Sequence, residues 1–471
     1  MDIKIRRTYG LHLTSIDIFN KYIFPEIKHK LLNYLWIDLY AGEGNLILPI
    51  LEKIKKEERI KFFKAHIFLS DSQEEMVKKC IRAAERYGIP KEIAEKRILL
   101  RDNLKSFPQF LIKAEFPIFH ITNPPYLYLG YIRKHSDTQK YLKLFEDENK
   151  GYQDLYQIAM INDFRNEIEN LVYIIPSNFL FGASISNKFR MDFLKKYQIL
   201  KMIIFETKIF EFTGTNICIG FFKKKEIPKV EDLKFSGIKI KKENQIITKD
   251  YYLRPKYKYR AGFEFDEFLE KFRVEYPLKI KFYLMNEELL KKTGNFEILV
   301  IDANQYRNNK YKKLILRVNE ELKRKVESNI LFVRTVDTGS YDGRVGLNII
   351  QDDFGVQGIY VSSNTYRTHP IQIFFKDKIS INDQLLLKSY FNFVLEHFRD
   401  KLDSEFLTTY KYSKAIYTRK YLGLTQTKKL IETFPYRKLE SKIRNNLHLF
   451  IHNKDFNNVI SLLNTCKNES Y

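Results

Sequence analysis

The chain has 471 residues, and its 81 Lys and Arg against 58 Asp and Glu give a formal net charge of +23. Because 44% of the residues are hydrophobic, the chain can bury enough apolar surface to fold, which excludes an intrinsically disordered protein. The length excludes a stapled mini-protein and predicts two or three domains, and the three widely spaced cysteines exclude a disulfide framework.

Composition also limits the cellular compartment and the partners. We find neither a secretory leader nor an apolar run of the roughly 18 residues that a membrane span needs. The cysteine usage indicates a reducing compartment. We therefore expect a cytoplasmic protein without a membrane partner. We also expect a monomer. The positive charge favours nucleic acid as a partner, because phosphates that a protein neutralises release counterions, but the lysine-rich composition of an AT-rich genome gives the same charge.

The first half of the sequence alternates short apolar runs with amphipathic stretches, which is typical of an α/β domain with a mostly parallel sheet. Apolar residues at helical spacing predict helices at 46–60, 74–87 and 185–197. Seven runs rich in β-branched and aromatic residues predict strands. These runs are residues 34–40, 66–70, 98–101, 118–122, 171–176, 201–206 and 217–222.

A domain boundary is predicted near residue 230, because the α/β rhythm gives way there to segments rich in lysine and tyrosine. Residues 1–230 would form a Rossmann-like domain with a seven-stranded sheet, and residues 231–471 a mixed α+β domain. In the second half a Gly-rich, strand-like stretch from 331 to 375 lies among helical signals at 264–272, 318–328, 385–402 and 436–447.

Three successive strands are predicted to end in glycine or acidic residues. The first leads into Asp38-Leu39-Tyr40-Ala41-Gly42-Glu43-Gly44-Asn45, where Gly42 and Gly44 permit a tight turn and close approach to a ligand. The second strand ends at Asp71, which can bind a ribose diol, and the third at Asp102, which can meet an adenine amino group. No phosphate loop of the form G-x-x-x-x-G-K-[ST] is present, which favours a compact ligand over a dinucleotide.

The fourth strand leads directly into Asn123-Pro124-Pro125-Tyr126. Two consecutive prolines cannot continue a sheet ladder, so the strand ends there and presents Asn123 and Tyr126 at its carboxyl end. An Asn-Pro turn alone is common. Because ligands of open α/β sheets bind at the carboxyl ends of strands, four such ends in succession predict one ligand site.

This series of motifs resembles the S-adenosylmethionine-dependent amino-methyltransferases, in particular the adenine-N6 DNA methyltransferases of type II restriction-modification systems. The resemblance covers about residues 7–222 and includes residues 9–15, which precede the glycine turn as in the family's gamma arrangement. It implies S-adenosylmethionine as methyl donor, no metal, double-stranded DNA as substrate and a cognate restriction endonuclease as a possible partner. The cofactor-binding residues that it implies are Thr14, Asp38, Gly42, Gly44, Asp71 and Asp102.

The resemblance also implies catalytic roles for Asn123, Pro124, Pro125, Tyr126 and Phe210. An exocyclic amino nitrogen is a poor nucleophile because its lone pair is delocalised, and carbonyl acceptors on its N–H groups return electron density to it. The Asn123 side chain and the Pro124 backbone would supply those acceptors. Tyr126 would stack on a base flipped out of the duplex. Phe210 is the second stacking candidate, with Phe212 an alternative, and both fit a buried core equally well.

Basic residues interleaved with tyrosine suggest DNA contacts in the second half, which the resemblance assigns to target recognition. Residues 256–260 and 410–421 have this composition. The arginines that could reach guanine edges are Arg334, Arg344 and Arg367, although each also fits an ordinary surface position.

The same sequence leaves three other functions open and argues against two further kinds of site. An RNA or protein-glutamine N-methyltransferase, a non-catalytic DNA specificity protein and a cytosine-N4 methyltransferase stay open as alternatives. Cytosine-C5 chemistry is unsupported, because none of the three cysteines follows a proline. His448 and His452 lack further ligands for a metal site.

Overall fold

The computed structural model describes residues 14–207, 209–210, 216–241, 245–337, 343–366, 368–409 and 419–468. The described residues fall into two compact units. The first comprises the described residues up to Ala261, and the second comprises those from Gly262 onward. No described helix is long and apolar enough to cross a membrane.

The first unit is built on one nine-stranded sheet. Its strands are β1 (Leu35–Asp38), β2 (Ile67–Asp71), β3 (Ile98–Leu100), β4 (Ile118–Thr122), β5 (Asn170–Pro176), β6 (Tyr197–Phe205), β7 (Ile217–Lys224), β8 (Leu233–Ile240) and β9 (Ile246–Leu253). They lie in the order β3-β2-β1-β4-β5-β7-β6-β8-β9, and the first five in this order are parallel. All seven predicted strands are present and are neighbours. Strands β1, β2, β4 and β5 are buried along their whole length, as expected for parallel strands covered on both faces.

Strands β8 and β9 extend this sheet beyond the predicted set. β8 pairs parallel with β6 and antiparallel with β9. The sheet therefore has nine strands rather than seven, and the first unit ends at Ala261 rather than near residue 230. The two strands were missed because exposed residues alternate with more buried ones in most of β8, so their composition is that of a polar segment.

Helices connect the strands of the first unit. The predicted helices at 74–87 and 185–197 are confirmed, but the one at 46–60 is wrong: the chain forms 3-10 turns there, and Pro49 removes a backbone donor. The α-helices are Ile16–Ile18, Phe24–Ile27, Arg59–His66, Glu74–Arg86, Lys91–Ala94, Leu129–Ile132, Leu155–Arg165, Asn178–Phe181 and Asn187–Lys196. Phe19–Ile23 is π-helical, and 3-10 segments span Leu31–Asn33, Leu48–Lys53, Lys56–Glu58, Gln109–Lys113, Ser136–Phe145, Asp147–Asn149 and Pro255–Tyr257.

The second unit contains both helices and strands. Its strands are β10 (Ile280–Phe282), β11 (Leu284–Met285), β12 (Phe296–Arg307), β13 (Lys310–Val318), β14 (Leu331–Arg334), β15 (Gly346–Ile349), β16 (Gly358–Val361), β17 (Pro370–Phe375), β18 (Thr408–Thr409) and β19 (Lys420–Tyr421). They form sheets in the orders β10-β17-β14-β15, β11-β16-β12-β13 and β18-β19.

The helices of the second unit include one long element, Ile381–Leu402, whose N-terminus is capped by the Ser380 hydroxyl accepting from the Asp383 N–H at 3.1 Å. The others are Phe263–Lys271, Asn286–Lys291, Glu320–Glu327, Ile350–Phe354, Leu424–Ile431, the 3-10 turn Tyr436–Lys438, Ser441–His452 and Phe456–Asn468. The predictions at 264–272, 318–328 and 385–402 agree with these elements, whereas the one at 436–447 begins too early.

Candidate active site

The turn after β1 is shaped by two glycines. Gly42 and Gly44 both have positive φ, 54° and 83° respectively. A Cβ on Gly44 would lie 2.6 Å from Leu48 Cδ1 and 2.8 Å from Cys80 Sγ, a residue of the helix Glu74–Arg86. Only glycine fits this conformation and this space, so the turn packs its backbone directly against the helix.

We expect Gly44→Ala to destabilise the protein and to weaken cofactor binding. The positive φ costs about 1–2 kcal/mol for an L-residue, and the clash with Leu48 and Cys80 adds about 1–3 kcal/mol of overpacking. The matched control is Gly88→Ala: Gly88 also has a positive φ, 89°, but nothing lies within 4 Å of its Cβ position. Chemical unfolding and calorimetry with S-adenosylmethionine measure both effects. Equal losses in the two variants would show that the close approach at Gly44 is unimportant.

Asp71 connects the end of β2 to this turn. Its Oδ2 accepts the Gly42 N–H at 2.9 Å, and its Oδ1 accepts the Gln73 N–H at 2.9 Å. Burial raises the pKa of this carboxyl, and the backbone donors oppose that rise. Each oxygen can accept a further hydrogen bond, so the side chain can both hold the turn and bind hydroxyl groups of a ligand.

Asp38 lies fully buried at the end of β1. Its Oδ1 accepts the Thr122 hydroxyl at 2.6 Å and the Tyr40 N–H at 3.0 Å. Burial raises the pKa of Asp38 to about 6, although nearby His120 and the two hydrogen bonds oppose this rise. These contacts connect the ends of β1 and β4, two neighbouring strands whose tips carry predicted motifs.

The raised pKa predicts that Asp38 makes folding pH-dependent. Its pKa is about 6 in the folded protein and ordinarily 3.8, so the folded state binds the proton more tightly. Proton binding by Asp38 therefore stabilises the folded state, and this contribution is complete below about pH 4. It is lost as the pH rises through about 6, which lowers the free energy of unfolding by about 3 kcal/mol. Urea unfolding between about pH 4 and pH 8 should therefore show a smaller pH dependence for Asp38→Asn than for the wild type. An identical dependence would contradict the assignment.

The Asn123–Tyr126 segment follows β4 and is held at both ends. Asn123 Nδ2 donates to Thr14 Oγ1 at 2.9 Å, and Asn45 Nδ2 donates to the Thr14 carbonyl at 2.9 Å. The Tyr126 hydroxyl donates to the Ile174 carbonyl of β5 at 2.7 Å and also contacts the side-chain oxygen of Asn123. Thr14 thus meets both the glycine turn and the proline motif, which are far apart in the sequence.

These residues surround one open pocket at the carboxyl ends of β1 and β4. It encloses about 290 Å³ of empty space, part of which is open to solvent. Four of the predicted site residues line it: Thr14, Asp38, Gly42 and Asn123. The remaining lining residues, for which no role was predicted, are Tyr40, Ala41, Glu43, Asn45 and Leu46.

The other predicted site residues lie outside the pocket lining: Gly44, Asp71, Asp102, Pro124, Pro125, Tyr126 and Phe210. Asp102 is half-buried, and its carboxylate lies 3.2 Å from Lys105 Nζ. Its neighbour Asn103 is buried instead, with Nδ2 donating to the Leu39 carbonyl at 2.7 Å. Phe210 is 6% exposed and packs in the hydrophobic core of the first unit. Phe212 and residues 9–13 of the predicted amino-terminal motif lie outside the described residues.

Tyr126 is also buried, so its expected stacking on a base requires the ring to become accessible and stays a prediction. In the structure its hydroxyl anchors the motif to β5. Pro124 is buried and Pro125 is half-buried beside it.

A buried polar network beneath the pocket was not predicted. The Leu39 N–H donates to His120 Nε2 at 3.2 Å, so His120 carries its proton on Nδ1 and donates it to Asp163 Oδ2 at 2.6 Å. The Tyr173 hydroxyl donates to the same oxygen at 2.6 Å. Burial and the Asp163 carboxylate raise the pKa of Tyr173 well above its usual range, so its phenol stays protonated. The only sequence signal was a histidine within the apolar strand β4.

Several residues that the sequence suggested as DNA contacts form ion pairs within the protein or are buried. Arg334 pairs with Asp353 at 2.8 Å, and Arg344 pairs with Glu396 at 2.7 Å. Residues 256–260 belong to the first unit rather than the second, and three of them, Tyr257, Tyr259 and Arg260, are buried. Arg367 and residues 410–418 lie outside the described residues. In the part of the chain that is described, no cluster of three or more His, Cys, Asp or Glu could hold a metal ion.

Comparison with known proteins bears on this site. Residues 29–210 match the family model described as Eco57I restriction-modification methylase. The matched segment contains β1 to β6, the glycine turn and the Asn123–Tyr126 motif, so this part of the chain resembles the methylases of restriction-modification systems. A comparison with curated proteins gave no match.

Among solved structures, the chain is similar to the type IIL restriction-modification enzyme MmeI in complex with DNA, with 12% identity, a TM-score of 0.53, and coverage of 96% of this chain and 72% of that one. At this identity the likeness shows a shared fold.

A modification subunit of a putative type I restriction enzyme and a methyltransferase subunit of a type I restriction-modification system are also similar. The modification subunit from Vibrio vulnificus shares 15% identity over 71% of this chain and 58% of that one, with a TM-score of 0.37. The Streptococcus thermophilus subunit shares 14% identity over 51% of this chain and 50% of that one, with a TM-score of 0.35. The chain thus spans less than two thirds of the length of either subunit.

Proposed function

We propose that this chain is a DNA methyltransferase that transfers a methyl group from S-adenosylmethionine to N6 of an adenine flipped out of duplex DNA, as the modification enzyme of a restriction-modification system. The observation that carries the proposal is the hydrogen bond from Asn123 to Thr14 at the pocket. It brings a motif suited to accepting amino hydrogens to the wall of a pocket that begins at a glycine turn. The methylase family match over residues 29–210 supports the same reaction class.

The residues at the pocket fit S-adenosylmethionine as methyl donor. Gly42 lines the pocket and carries no side chain there, which permits close approach of a ligand, whereas Gly44 lets the same turn pack against Leu48 and Cys80. The carboxylate of Asp38 lines the pocket, and that of Asp71, outside the lining but bonded to the Gly42 N–H, has lone pairs that ribose hydroxyls could use. When bound, S-adenosylmethionine would supply a methyl group on a sulfonium sulfur.

The Asn123 side chain would activate the amino group. Because Nδ2 donates to Thr14, the Oδ1 end of the amide is the acceptor. An N–H bond directed at Oδ1, and a second directed at the Pro124 carbonyl, would localise the nitrogen lone pair for attack. Acceptors fixed in advance need no reorganisation as charge develops, and this is why such groups contribute strongly to catalysis.

A base within a duplex cannot reach such a pocket. Flipping it costs a few kcal/mol, and stacking on an aromatic side chain offsets about 1–3 kcal/mol of this. The second unit, with its mixed α and β structure, is proposed as the target-recognition domain. The match to MmeI, whose solved structure contains DNA, is compatible with this division of roles.

The proposed function is tested by incubating the purified protein with methyl-labelled S-adenosylmethionine and duplex DNA, total RNA or a protein extract. We expect label in DNA alone. Label only in RNA or protein would instead support the RNA or glutamine methyltransferase. Failure to bind S-adenosylmethionine in calorimetry, with DNA binding retained, would support a non-catalytic specificity protein.

A further inference from the structure

The β-hairpin formed by β12 and β13 belongs to the second unit and takes no part in the candidate active site. Its two-residue turn consists of Asn308 and Asn309, which have φ values of 50° and 61°. Positive φ at both positions is the hairpin turn that matches the twist of antiparallel strands. Arg307 and Lys310 face each other across this turn. We call residues 306–313 the basic ribbon.

The basic ribbon concentrates positive charge, and none of its basic side chains lies within ion-pair distance of a described carboxylate. Arg307, Lys310, Lys312 and Lys313 are all exposed, and none of the four has an ion pair within the described residues. No acidic residue occurs in the sequence between 303 and 319. Farther down the same hairpin the pattern changes, because Arg317 pairs with Glu297 at 3.3 Å. The charge is therefore specific to the tip.

The base of the ribbon is held in a defined conformation. The register of β12 against β13 shifts between Asp302 and Tyr306, which marks a bulge, and bulges redirect a strand. Within this bulge, the buried side chain of Asp302 accepts hydrogen bonds from the Asn304 backbone N–H at 2.9 Å and from the Gln305 side chain at 3.0 Å. Asn304 in turn donates to the Asn364 carbonyl at 2.8 Å. The tip is thus presented by an ordered bulge.

Aromatic packing also supports the ribbon. The rings of Tyr306 and Tyr311 lie 4.6 Å apart, and Tyr311 contacts Phe354 edge-on at 5.7 Å. Lysines on an edge strand such as β13 discourage pairing with other proteins. β12 pairs with β16 only over Val300–Asp302, so Tyr306 and Arg307 extend beyond that pairing and face β13 alone, and the tip is a two-stranded ribbon.

We propose that the basic ribbon binds the phosphate backbone of duplex DNA. A two-stranded ribbon fits a major groove about 12 Å wide, and lysine and arginine neutralise phosphates on either side of it. Phosphate contacts of this kind fix the position and register of a protein without reading sequence. The inference rests on the proposed action on DNA and adds to it a surface of the second unit that binds the duplex.

The test measures how salt weakens the binding of a mixed-sequence DNA duplex to the full chain. In the ribbon variant, Arg307, Lys310, Lys312 and Lys313 are all replaced by glutamine. The control variant removes equal charge from exposed lysines of helices in the same unit and the turn after them: Lys428→Gln, Lys429→Gln, Lys442→Gln and Lys454→Gln. Thermal unfolding and S-adenosylmethionine binding, measured for each protein, show that both variants fold.

We expect the slope of log K against log salt to become shallower by about 0.9 for each phosphate that the ribbon variant no longer neutralises, with little change in the control. Equal slopes for ribbon variant and wild type, with methyl transfer to DNA intact in the wild type, would overturn the ribbon proposal alone. A larger effect on duplex RNA than on duplex DNA would overturn the choice of DNA as occupant. A wild-type protein that binds no duplex would overturn both this proposal and the proposed function.

Discussion

Asn123→Ala is expected to lower the rate of methyl transfer by about 10²–10³-fold, the usual effect of removing one preorganised polar group from a reacting centre. The variant lacks the side-chain oxygen proposed to accept an amino hydrogen, and it also loses the hydrogen bond to Thr14. Binding of DNA should stay measurable, because phosphate contacts elsewhere supply most of that affinity. Single-turnover transfer of labelled methyl groups measures the chemical step directly.

Asn33→Ala is the matched control for this substitution. Asn33 is exposed and lies in the 3-10 turn before β1, so the same change of side chain there should leave turnover unchanged. Retained turnover in Asn123→Ala would show that the proline motif is not the amino-accepting site. A loss of turnover in both variants would point to a general effect on folding, which thermal unfolding would reveal.

Asp163→Ala is expected to produce the largest loss of stability among the substitutions considered. Two buried donors, His120 and Tyr173, both give hydrogen bonds to Asp163 Oδ2. Hydrogen bonds to a charged group contribute about 1.5–3 kcal/mol each, and the two buried donors left behind would lose their shared acceptor. Urea unfolding at neutral pH measures the loss.

Asp163→Asn distinguishes loss of the acceptor from loss of the charge. An amide oxygen can accept both hydrogen bonds but carries no charge, so we expect this variant to keep most of the stability lost in Asp163→Ala. Because His120 also accepts from the Leu39 N–H, beside Asp38, we expect methyl transfer to follow the same order as stability. If Asp163→Ala unfolds at the same urea concentration as wild type, the network does not support the fold as described.

Much of the first unit could be predicted from its sequence, because buried parallel strands appear as short apolar runs. All seven predicted strands are neighbours in the sheet. The predictions failed where burial is partial or where one residue decides local structure. Strands β8 and β9 carry exposed residues along their length, and Pro49 interrupts the helical pattern after the glycine turn. Hydrophobic periodicity detects buried faces. It therefore misses strands that pair through their backbone while exposing many side chains, and it does not register that a proline lacks a backbone donor.

The site could be predicted only in part. Polar strand ends indicated the pocket, because the carboxyl ends of parallel strands lie at one edge of a sheet, and Thr14, Asp38, Gly42 and Asn123 do line it. Asp102 and Phe210 do not, since a position next to a strand end does not fix the direction of a side chain.

Contacts between residues far apart in the sequence were the hardest features to predict. The network of His120, Asp163 and Tyr173 joins residues of two strands and a helix, so no local pattern could reveal it. The basic ribbon had a local signal, Asn308-Asn309 between basic strands, but this turn is less distinctive than Asn-Gly. Arg334 and Arg344 were candidates because arginine suits guanine, yet each has an acidic partner in its own unit.

The identity of the methylated nucleoside tests the central proposal most directly. DNA incubated with the protein and methyl-labelled S-adenosylmethionine is digested to nucleosides, and these are separated and identified by mass. The proposal predicts that the label is found in N6-methyldeoxyadenosine, and that DNA treated with Asn123→Ala contains little of it. Label in N4-methyldeoxycytidine, or in no deoxynucleoside, would contradict the assignment of this chain as an adenine-N6 DNA methyltransferase.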